Sequence, residues 1–397
     1  MCRPRRDPKI GGMAPRRPRP VGRALAGLLA GVLAGALAAC GGEERPRVAI
    51  DARAPDPTAG DVPRGAPDRS KPSPNAARTM IGPYPRAQFV IAHDGFIAAD
   101  EPRCVPAVDA KFVRSDDEVF GVVVAGRPRA YMIGMLSYHH VVNDVVAGTP
   151  IVVTYCVVCS SGIAFDPVLD GQRLTFGFEG VWQGTAILYD RDTGSLWMHL
   201  TGRCFDGPRS GRTLAPLTTG THTTWAAWRR DHPDTDVMAP DPRYVGRYFT
   251  REQAQSGNPW LSPSFDTTIV SRDPRLRLGD LLLGVRVGDE ARAYPLAKLG
   301  ASAGVVEEDV GGVPVTVWYE APSRTAVVFD ARLDGTLRTF GRDATGFHEL
   351  GTGSRFDLEG RCVEGSLRGK QLARVPSLLT EWYGWFAHHP ETTLYGR

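Results

Sequence analysis

An internal repeat constrains the fold of this 397-residue chain more than any other feature. Several segments from the middle of the chain return, in the same order, towards its end. The paired segments are residues 117–131 with 280–294, 141–150 with 305–314, 175–177 with 339–341, 202–204 with 360–362, and 225–235 with 382–392. Preserved order across so many segments argues against chance. The sequence therefore predicts two tandem, pseudo-symmetric copies of one structural unit.

Each copy is predicted to consist of short strands with few helices. Runs rich in β-branched residues, such as 119–124 and 129–133, predict strands, and the glycine-containing turn between them predicts a hairpin. One short helix is predicted around residues 135–142. A second is predicted to begin near Thr224, whose hydroxyl can cap it. These elements predict an α+β fold that is predominantly antiparallel β.

The repeat also predicts where the chain divides. Residues 86–245 are predicted to form the first copy, residues 246–270 a linker, and residues 271–397 a second copy that has lost the distinctive residues of the first. Trp225 and Trp228 lie three positions apart on the predicted capped helix, so both can face a sheet. A tryptophan pair recurs in the second copy, which favours core packing over ligand stacking.

The N-terminus is predicted to be a targeting segment. An arginine-rich stretch at residues 16–20 precedes an apolar run at residues 21–39, which ends in small residues before Cys40. This pattern is typical of a secretory signal, and its end resembles a bacterial lipobox with Cys40 as the lipidated residue. Residues 40–85, rich in Pro, Arg and Asp, are predicted to form a disordered tether. The alternative is that the apolar run stays uncleaved as an anchor helix.

These features predict an extracytoplasmic protein attached to the cell envelope by its lipid. The outer membrane or the periplasmic face is expected, or the cell surface in a cell with one membrane. Eight of the 47 Lys and Arg residues lie in residues 1–39, and one of the 44 Asp and Glu residues does. The remainder carries 39 basic and 43 acidic residues, so it is mildly acidic. Such a charge argues against a nucleic-acid partner.

The two copies differ at two sets of residues that carry chemistry. The first copy has His139 and His140 where the second has small residues, and it has the C-x-x-C motif Cys156–Cys159 where the second has none. A scaffold residue should survive in both copies, whereas a functional site need survive in only one. The joint loss therefore predicts that the histidines and the cysteines act together.

The cysteine pair has three interpretations. The first is a copper or zinc site with Cys156, Cys159 and His139 as ligands, to which Met198 or His199 can add a donor. The second is a redox dithiol of a thiol oxidoreductase. The third is a structural disulfide in a non-catalytic binding or envelope-structural module. His140 has a plain alternative as a core or surface residue, and nothing in the sequence predicts a binding motif for an organic cofactor.

Two further cysteines occupy equivalent positions in the two copies. Cys204 and Cys362 each follow a Gly-Arg pair. Equivalent residues can meet near a pseudo-twofold axis, and an oxidising compartment favours pairing, so a Cys204–Cys362 disulfide is predicted. Cys104 is then left over.

Several motifs together resemble one family. They are Ala130-Tyr131, the segment around His139 that ends in Asn143-Asp144, Thr154-Tyr-Cys-x-x-Cys159, Tyr189-Asp-Arg with Thr193-Gly-Ser-Leu-Trp197, and Thr224-Trp with His232-Pro-Asp-Thr235. They resemble the domain of unknown function 3179 family of exported bacterial proteins, over residues 100–397. The resemblance implies a second half without the C-x-x-C motif. It implies no reaction, substrate or protein partner.

Overall fold

Short β-strands, paired mainly antiparallel, make up most of the part that the computed structural model describes. That part is residues 73–217, 220–250, 253 and 263–396. All of it belongs to one compact unit. The predicted β-dominated fold with few short helices is thereby confirmed. The predicted signal segment, Cys40 and most of the predicted tether lie outside the described residues.

We divide the described residues into an N-terminal half, residues 73–250, and a C-terminal half, residues 263–396. The strands of the N-terminal half are Met80–Ile81, Tyr84–Pro85, Phe89–Ile91, Ala99–Asp100, Cys104–Pro106, Glu118–Val124, Arg127–Met132, Val141–Val146, Thr149–Cys156, Ser161–Asp166, Val168–Leu169, Gln172–Arg173, Phe176–Trp182, Thr185–Asp190, Leu196–Met198, Cys204–Asp206, Ala215–Pro216, Thr221–Thr224 and Asp236–Met238. Its helices are Ile133–His139 and Trp225–Asp231, with 3-10 turns at Arg86–Gln88 and Val245–Arg247.

The C-terminal half is built from similar pieces. Its strands are Leu281–Val287, Glu290–Pro295, Val305–Val310, Val313–Glu320, Thr325–Asp330, Arg332–Leu333, Thr336–Leu337, Phe340–Asp343, Gly346–Glu349, Arg355–Phe356, Cys362–Glu364, Ser377–Glu381 and Thr393–Leu394. Its helices are Pro263–Asp266, Leu296–Ala301 and Trp382–His388. None of the helices in the described residues is long and apolar enough to cross a membrane.

One sheet in the N-terminal half contains the hairpin that the sequence predicts near Gly126. Glu118–Val124 pairs antiparallel with Arg127–Met132. Thr221–Thr224 extends this sheet on one side, and Asp236–Met238 extends it on the other, parallel to its neighbour. Both faces of this hairpin are buried, since Phe120 and Tyr131 pack in one apolar cluster and Val119 and Ala130 pack in another.

A sheet in the C-terminal half has a corresponding order. Leu281–Val287 pairs antiparallel with Glu290–Pro295. Ser377–Glu381 joins one edge antiparallel, and Thr393–Leu394 joins the other edge parallel. The strand Ser377–Glu381 also packs against Ser161–Asp166 of the N-terminal half.

The helix Trp225–Asp231 lies where the sequence predicts it. The Thr224 side chain accepts a hydrogen bond from the Ala227 N–H, which caps the first turn. Trp228 is buried against the backbone of Gly121, where any β-carbon would clash with its ring. In the C-terminal half Trp385 lies in the same way over Gly284. The prediction that these tryptophans are core residues is confirmed.

The other predicted helix begins and ends earlier than expected. It spans Ile133–His139 rather than residues 135–142, and Val141–Val146 is a strand. His140 has a φ of 59°, in the left-handed region, and this conformation ends the helix. The apolar run that predicted more helix therefore belongs to the following strand.

Candidate thiol site

A hairpin carries the two cysteines. Its strands are Thr149–Cys156 and Ser161–Asp166, and the residue pair Cys156 and Ser161 closes it. We call it the cysteine hairpin. Its first strand is buried because residues 151–154 are β-branched and apolar on both faces. Ser160 has a φ of 53°, which allows the chain to reverse within four residues.

Cys156 and Cys159 lie in contact at this turn. They are 1% and 0% exposed, and both are free thiols. Burial raises the pKa of Cys159 well above its ordinary value, and a hydrogen bond with Cys156 raises it further. Both effects favour the neutral thiol at neutral pH. The described geometry is therefore that of a protonated, desolvated Cys159 thiol in contact with the buried Cys156.

A chain of hydrogen bonds leads from Cys159 to a histidine. The Cys159 Sγ lies 3.0 Å from the Ser161 Oγ, which lies 2.8 Å from Nε2 of His199. On the other side of the ring, Nδ1 lies 2.8 Å from the Thr154 Oγ1. His199 is fully buried, and this burial lowers its pKa to about 3, so the ring is neutral.

The direction of this chain follows from its last member. The Thr154 hydroxyl donates to the Ile163 carbonyl, 3.2 Å away, because a carbonyl can only accept. Its oxygen therefore accepts from Nδ1–H of His199, which leaves Nε2 to accept from the Ser161 hydroxyl. The Ser161 oxygen is then free to accept from the Cys159 thiol. The arrangement provides a path for a proton from Cys159 to His199.

His139 is held elsewhere by two hydrogen bonds. Its Nδ1 donates to the Ile97 carbonyl at 2.7 Å, and its Nε2 accepts from the Tyr248 hydroxyl at 3.2 Å. Burial lowers its pKa. Within the described ranges, no group of three or more His, Cys, Asp or Glu side chains is placed to hold a metal ion. The predicted set of His139, Cys156 and Cys159 stays a prediction.

His140 lies in an aromatic environment. Its ring stacks on Phe96 at a centroid distance of 4.1 Å and meets the edge of Phe178 at 4.7 Å. Burial lowers its pKa to about 4. Phe178 also packs in the apolar cluster that contains Cys156 and Cys159. This environment agrees with the plain alternative of a buried core histidine.

A second hairpin offers a direct comparison. It consists of Val313–Glu320 and Thr325–Asp330, and the pair Glu320 and Thr325 closes it. We call it the acidic hairpin. Its turn also contains four residues, and Arg324, like Ser160, has a positive φ of 55°. Counted from the closing pair, Glu320 and Ser323 stand where the cysteine hairpin has Cys156 and Cys159.

The acidic hairpin makes different contacts at those positions. The Ser323 hydroxyl donates to a carboxylate oxygen of Glu320 and lies 2.7 Å from the Thr325 hydroxyl. Strand pairing also allows His199 to be compared. Trp197 pairs with Leu188 in the N-terminal half, and Phe356 pairs with Phe347 at the corresponding position of the C-terminal half. Two residues after each of these strand positions, His199 in the first half corresponds to Leu358 in the second. The thiols and the imidazole are therefore absent together.

Comparison with known proteins places the chain in a family. A model for proteins of unknown function, DUF3179, matches residues 93–392. The chain belongs to the DUF3179 family. No curated protein and no solved structure matches it. Membership identifies the domain and leaves the reaction to be inferred from the site.

The other cysteines of this DUF3179 chain lie in separate surroundings. The Cys204 thiol donates to the Asp206 carbonyl at 3.4 Å, and the Cys362 thiol donates to the Glu364 carbonyl at 3.2 Å. Each is buried in the apolar core of its own half. The disulfide predicted between them stays a prediction. Cys104 is partly buried, and burial raises its pKa to about 12.

Several residues of the DUF3179 site could not be found by sequence reasoning. No sequence pattern marks Ser161 beyond its proximity to Cys159. His199 is predicted from the sequence only as an additional metal ligand. The turn also contacts Thr380 and Tyr383 of the C-terminal half. Those residues lie more than 200 positions away from the cysteines, and no local pattern relates them.

Proposed function

We propose that this DUF3179 chain is a lipid-anchored extracytoplasmic protein whose Cys156–Cys159 turn is a redox-active dithiol. One observation carries the proposal: the contacting thiols are joined through Ser161 to the neutral imidazole of His199. A disulfide that only braces a turn needs no such partner, and a buried histidine is costly beside apolar neighbours. The acidic hairpin has Leu358 at that position.

The proposed reaction is an exchange with the disulfide of a partner protein or a small disulfide. As the Cys159 sulfur attacks one sulfur of the partner disulfide, its proton passes through Ser161 and His199 to the partner thiolate that leaves. A mixed disulfide forms and one partner thiol leaves. The Cys156 thiolate then attacks the Cys159 sulfur, which releases the second partner thiol. Two electrons pass to the partner, two protons follow them, and Cys156–Cys159 becomes a disulfide.

The electrostatics of the site favour the reducing direction. Dithiol proteins are strong oxidants when their thiolates are stabilised, and this stabilisation lowers the thiol pKa. Here burial and the neighbouring Cys156 raise the pKa of Cys159, and the opposing effect of the Ser161 hydrogen bond is smaller. We therefore expect a reduction potential below about −200 mV, nearer to reducing than to oxidising dithiol proteins.

A copper or zinc site at the same thiols is the alternative. In its favour, two soft sulfur ligands lie together, with the imidazole of His199 one hydroxyl away. Against the predicted ligand set, Nε2 of His139 would have to give up its hydrogen bond with Tyr248, although Nδ1–H could keep its bond to the Ile97 carbonyl. A purely structural disulfide is the remaining possibility, and the same experiment separates all three.

The decisive experiment is a redox titration of the purified chain in glutathione buffers. Free thiols are trapped by alkylation, and the Cys156–Cys159 peptide is followed by mass. A two-electron transition is expected, and the double variant Cys156→Ser/Cys159→Ser should lack it. Cys204→Ser is the control that keeps it. Near-stoichiometric copper or zinc bound to the reduced wild type would favour the metal alternative. A disulfide that resists every buffer would favour the structural one.

We also propose that the halves are copies of one unit, with residues 86–245 active and residues 271–397 degenerate. The proposal is supported by paired details. The Trp228 Nε1–H donates to the Thr235 hydroxyl at 2.9 Å, and the Trp385 Nε1–H donates to the Thr392 hydroxyl at the same distance. Residues 246–270 would then be the linker.

The membrane anchor is proposed from the sequence alone. Residues 1–39 are the proposed signal, Cys40 is the proposed lipidated residue, and the proposed tether begins there. The sequence predicts a tether as far as residue 85, but we propose that it ends where Ser73 and Asn75 donate hydrogen bonds to the buried Glu179, because Met80–Ile81 and Tyr84–Pro85 are strands. Labelling of cells with a radioactive fatty acid should mark the wild type. The variant Cys40→Ser should lose the label and leave the membrane fraction.

A further inference from the structure

The dithiol is closed to solvent by the C-terminal half. Both sulfurs are buried, so no partner can reach them while the described contacts persist. The cover comes from the end of the strand Ser377–Glu381 and the start of the helix Trp382–His388. A β-carbon on Gly384 would lie 3.1 Å from that of Cys159, which indicates how tightly this cover fits.

Specific hydrogen bonds fasten the cover to the backbone of the turn. The Thr380 hydroxyl donates to the Cys159 carbonyl at 3.1 Å, and the Glu381 N–H donates to the same carbonyl at 3.0 Å. The Tyr383 hydroxyl donates to the Val158 carbonyl. These three residues hold two carbonyls within the C-x-x-C motif itself. We call residues 380–383 the clamp.

A side-chain contact completes the clamp. The Ser160 hydroxyl donates to a carboxylate oxygen of Glu381 at 3.0 Å. Thr380, Glu381 and Tyr383 are all buried. A hydroxyl and a carboxylate are costly to bury unless each is satisfied, so their contacts with the turn stabilise the closed form.

The acidic hairpin meets the opposite half in a different way. Thr325 lies 2.6 Å from the hydroxyl of Thr223, and Arg324 contacts the carboxylate of Glu118 at 2.8 Å. These are contacts between side chains. Thr223 stands in its sheet where Thr380 stands in the other, since each is the penultimate residue of an edge strand. It therefore supplies a matched control.

We propose that Thr380, Glu381 and Tyr383 are positioning residues of the dithiol, and that release of this clamp is the step that exposes Cys159 to a partner disulfide. The role of clamp release in exposing Cys159 to a partner disulfide rests on the proposed thiol function. The presence of the clamp is tested separately. Its hydrogen bonds go to two backbone carbonyls and to the Ser160 hydroxyl, so the clamp acts on the turn that carries both sulfur atoms.

The test is the rate at which iodoacetamide alkylates each cysteine of the reduced full-length chain in detergent. In Tyr383→Phe the Val158 carbonyl loses its donor, and in Thr380→Val the Cys159 carbonyl loses one of two. Each lost hydrogen bond should speed alkylation of Cys156 and Cys159 by about twofold to tenfold through more frequent local opening. The conservative Thr380→Ser keeps a hydroxyl and should react like the wild type.

Other cysteines distinguish local release from general loosening. Cys204 and Cys362 are buried in separate cores, so their alkylation rates should stay unchanged in both variants. Thr223→Val should change no rate at Cys156 or Cys159. Equal acceleration at all the buried cysteines, or none at Cys156 and Cys159, would overturn the clamp. If the variants accelerate only the dithiol while wild-type glutathione titration shows no transition, the clamp stands and the redox function fails.

Discussion

The cysteine hairpin and the acidic hairpin have the same turn and different chemistry. Each closes a four-residue turn with a left-handed residue at its last position. One turn holds two buried thiols in contact, whereas the other holds a carboxylate bonded to a hydroxyl. The comparison teaches that the backbone of the turn brings two side chains together whatever they are. Their identity and their cover then decide what they can do.

The largest test of this comparison is to transplant the thiols. The double variant Glu320→Cys/Ser323→Cys places a pair where the side chains already touch. Because Glu320 is only partly buried, the new pair should react with a chromogenic disulfide more than about tenfold faster than Cys156–Cys159. Equal rates would mean that burial under the clamp does not limit reactivity. Single variants at each position report whether either thiol reacts alone.

Corresponding ion pairs in the two halves should contribute differently to the free energy of unfolding. Asp144 accepts hydrogen bonds from Arg129 at 2.9 Å and from the Tyr131 hydroxyl. The Asp144 side chain is 4% exposed and the Arg129 side chain is 13% exposed. Glu308 pairs with Arg292 at 22% and 20% exposure. Breaking the more buried pair leaves a less hydrated charge.

Asp144→Asn should therefore lower the free energy of unfolding by about 3 kcal/mol, and Glu308→Gln by about 1 kcal/mol. Urea denaturation at neutral pH measures both. A larger loss for Glu308→Gln would contradict the ranking by burial. Added salt should weaken the Glu308 pair more than the Asp144 pair, because dissolved ions screen exposed charges more than buried ones.

The tryptophan contacts should be equal in the two halves. Gly121→Ala would drive a methyl group into the ring of Trp228, and Gly284→Ala would do the same to Trp385. Each should cost about 2 kcal/mol of unfolding free energy, since an overpacked core must shift to accept the added carbon. Thermal unfolding followed by tryptophan fluorescence would detect both. A loss in only one half would break the correspondence between them.

The last test concerns the histidine that only one half has. Burial lowers the pKa of His199 to about 3 from its ordinary value of 6.5. Below pH 6.5 the unfolded chain therefore binds a proton at His199 that the folded chain does not bind, and the free energy of unfolding falls as the pH falls. One such group contributes a slope of up to about 1.4 kcal/mol per pH unit.

His199→Leu, which copies Leu358, should remove this slope between about pH 6 and pH 4. Denaturant midpoints across that range measure it against the wild type. Burial also lowers the pKa values of His140, His388 and His389 to about 4, and these residues should contribute to the slope in both chains. An unchanged slope would mean that His199 is charged or exposed in the native state.

Local sequence patterns predicted much of the fold. The hairpin near Gly126 follows from two β-branched runs and the turn residues between them, and the helix Trp225–Asp231 follows from its Thr224 cap. Both depend on interactions within a few positions, which a sequence displays directly. The helix before His140 was misplaced because its apolar residues suit either a helix or a buried strand.

The sequence by itself determined that Cys156 and Cys159 are distinctive, because it shows the C-x-x-C motif only in the N-terminal half. It did not determine their partners. His139, four residues beyond a predicted helix start, was expected beside them, but its ring is bonded to Ile97 and Tyr248. Only tertiary structure brought Ser161 and His199 into line, because strand pairing sets which side chains share a face. The clamp depends still more on packing, since its hydrogen bonds join residues that only the docking of the two halves brings together.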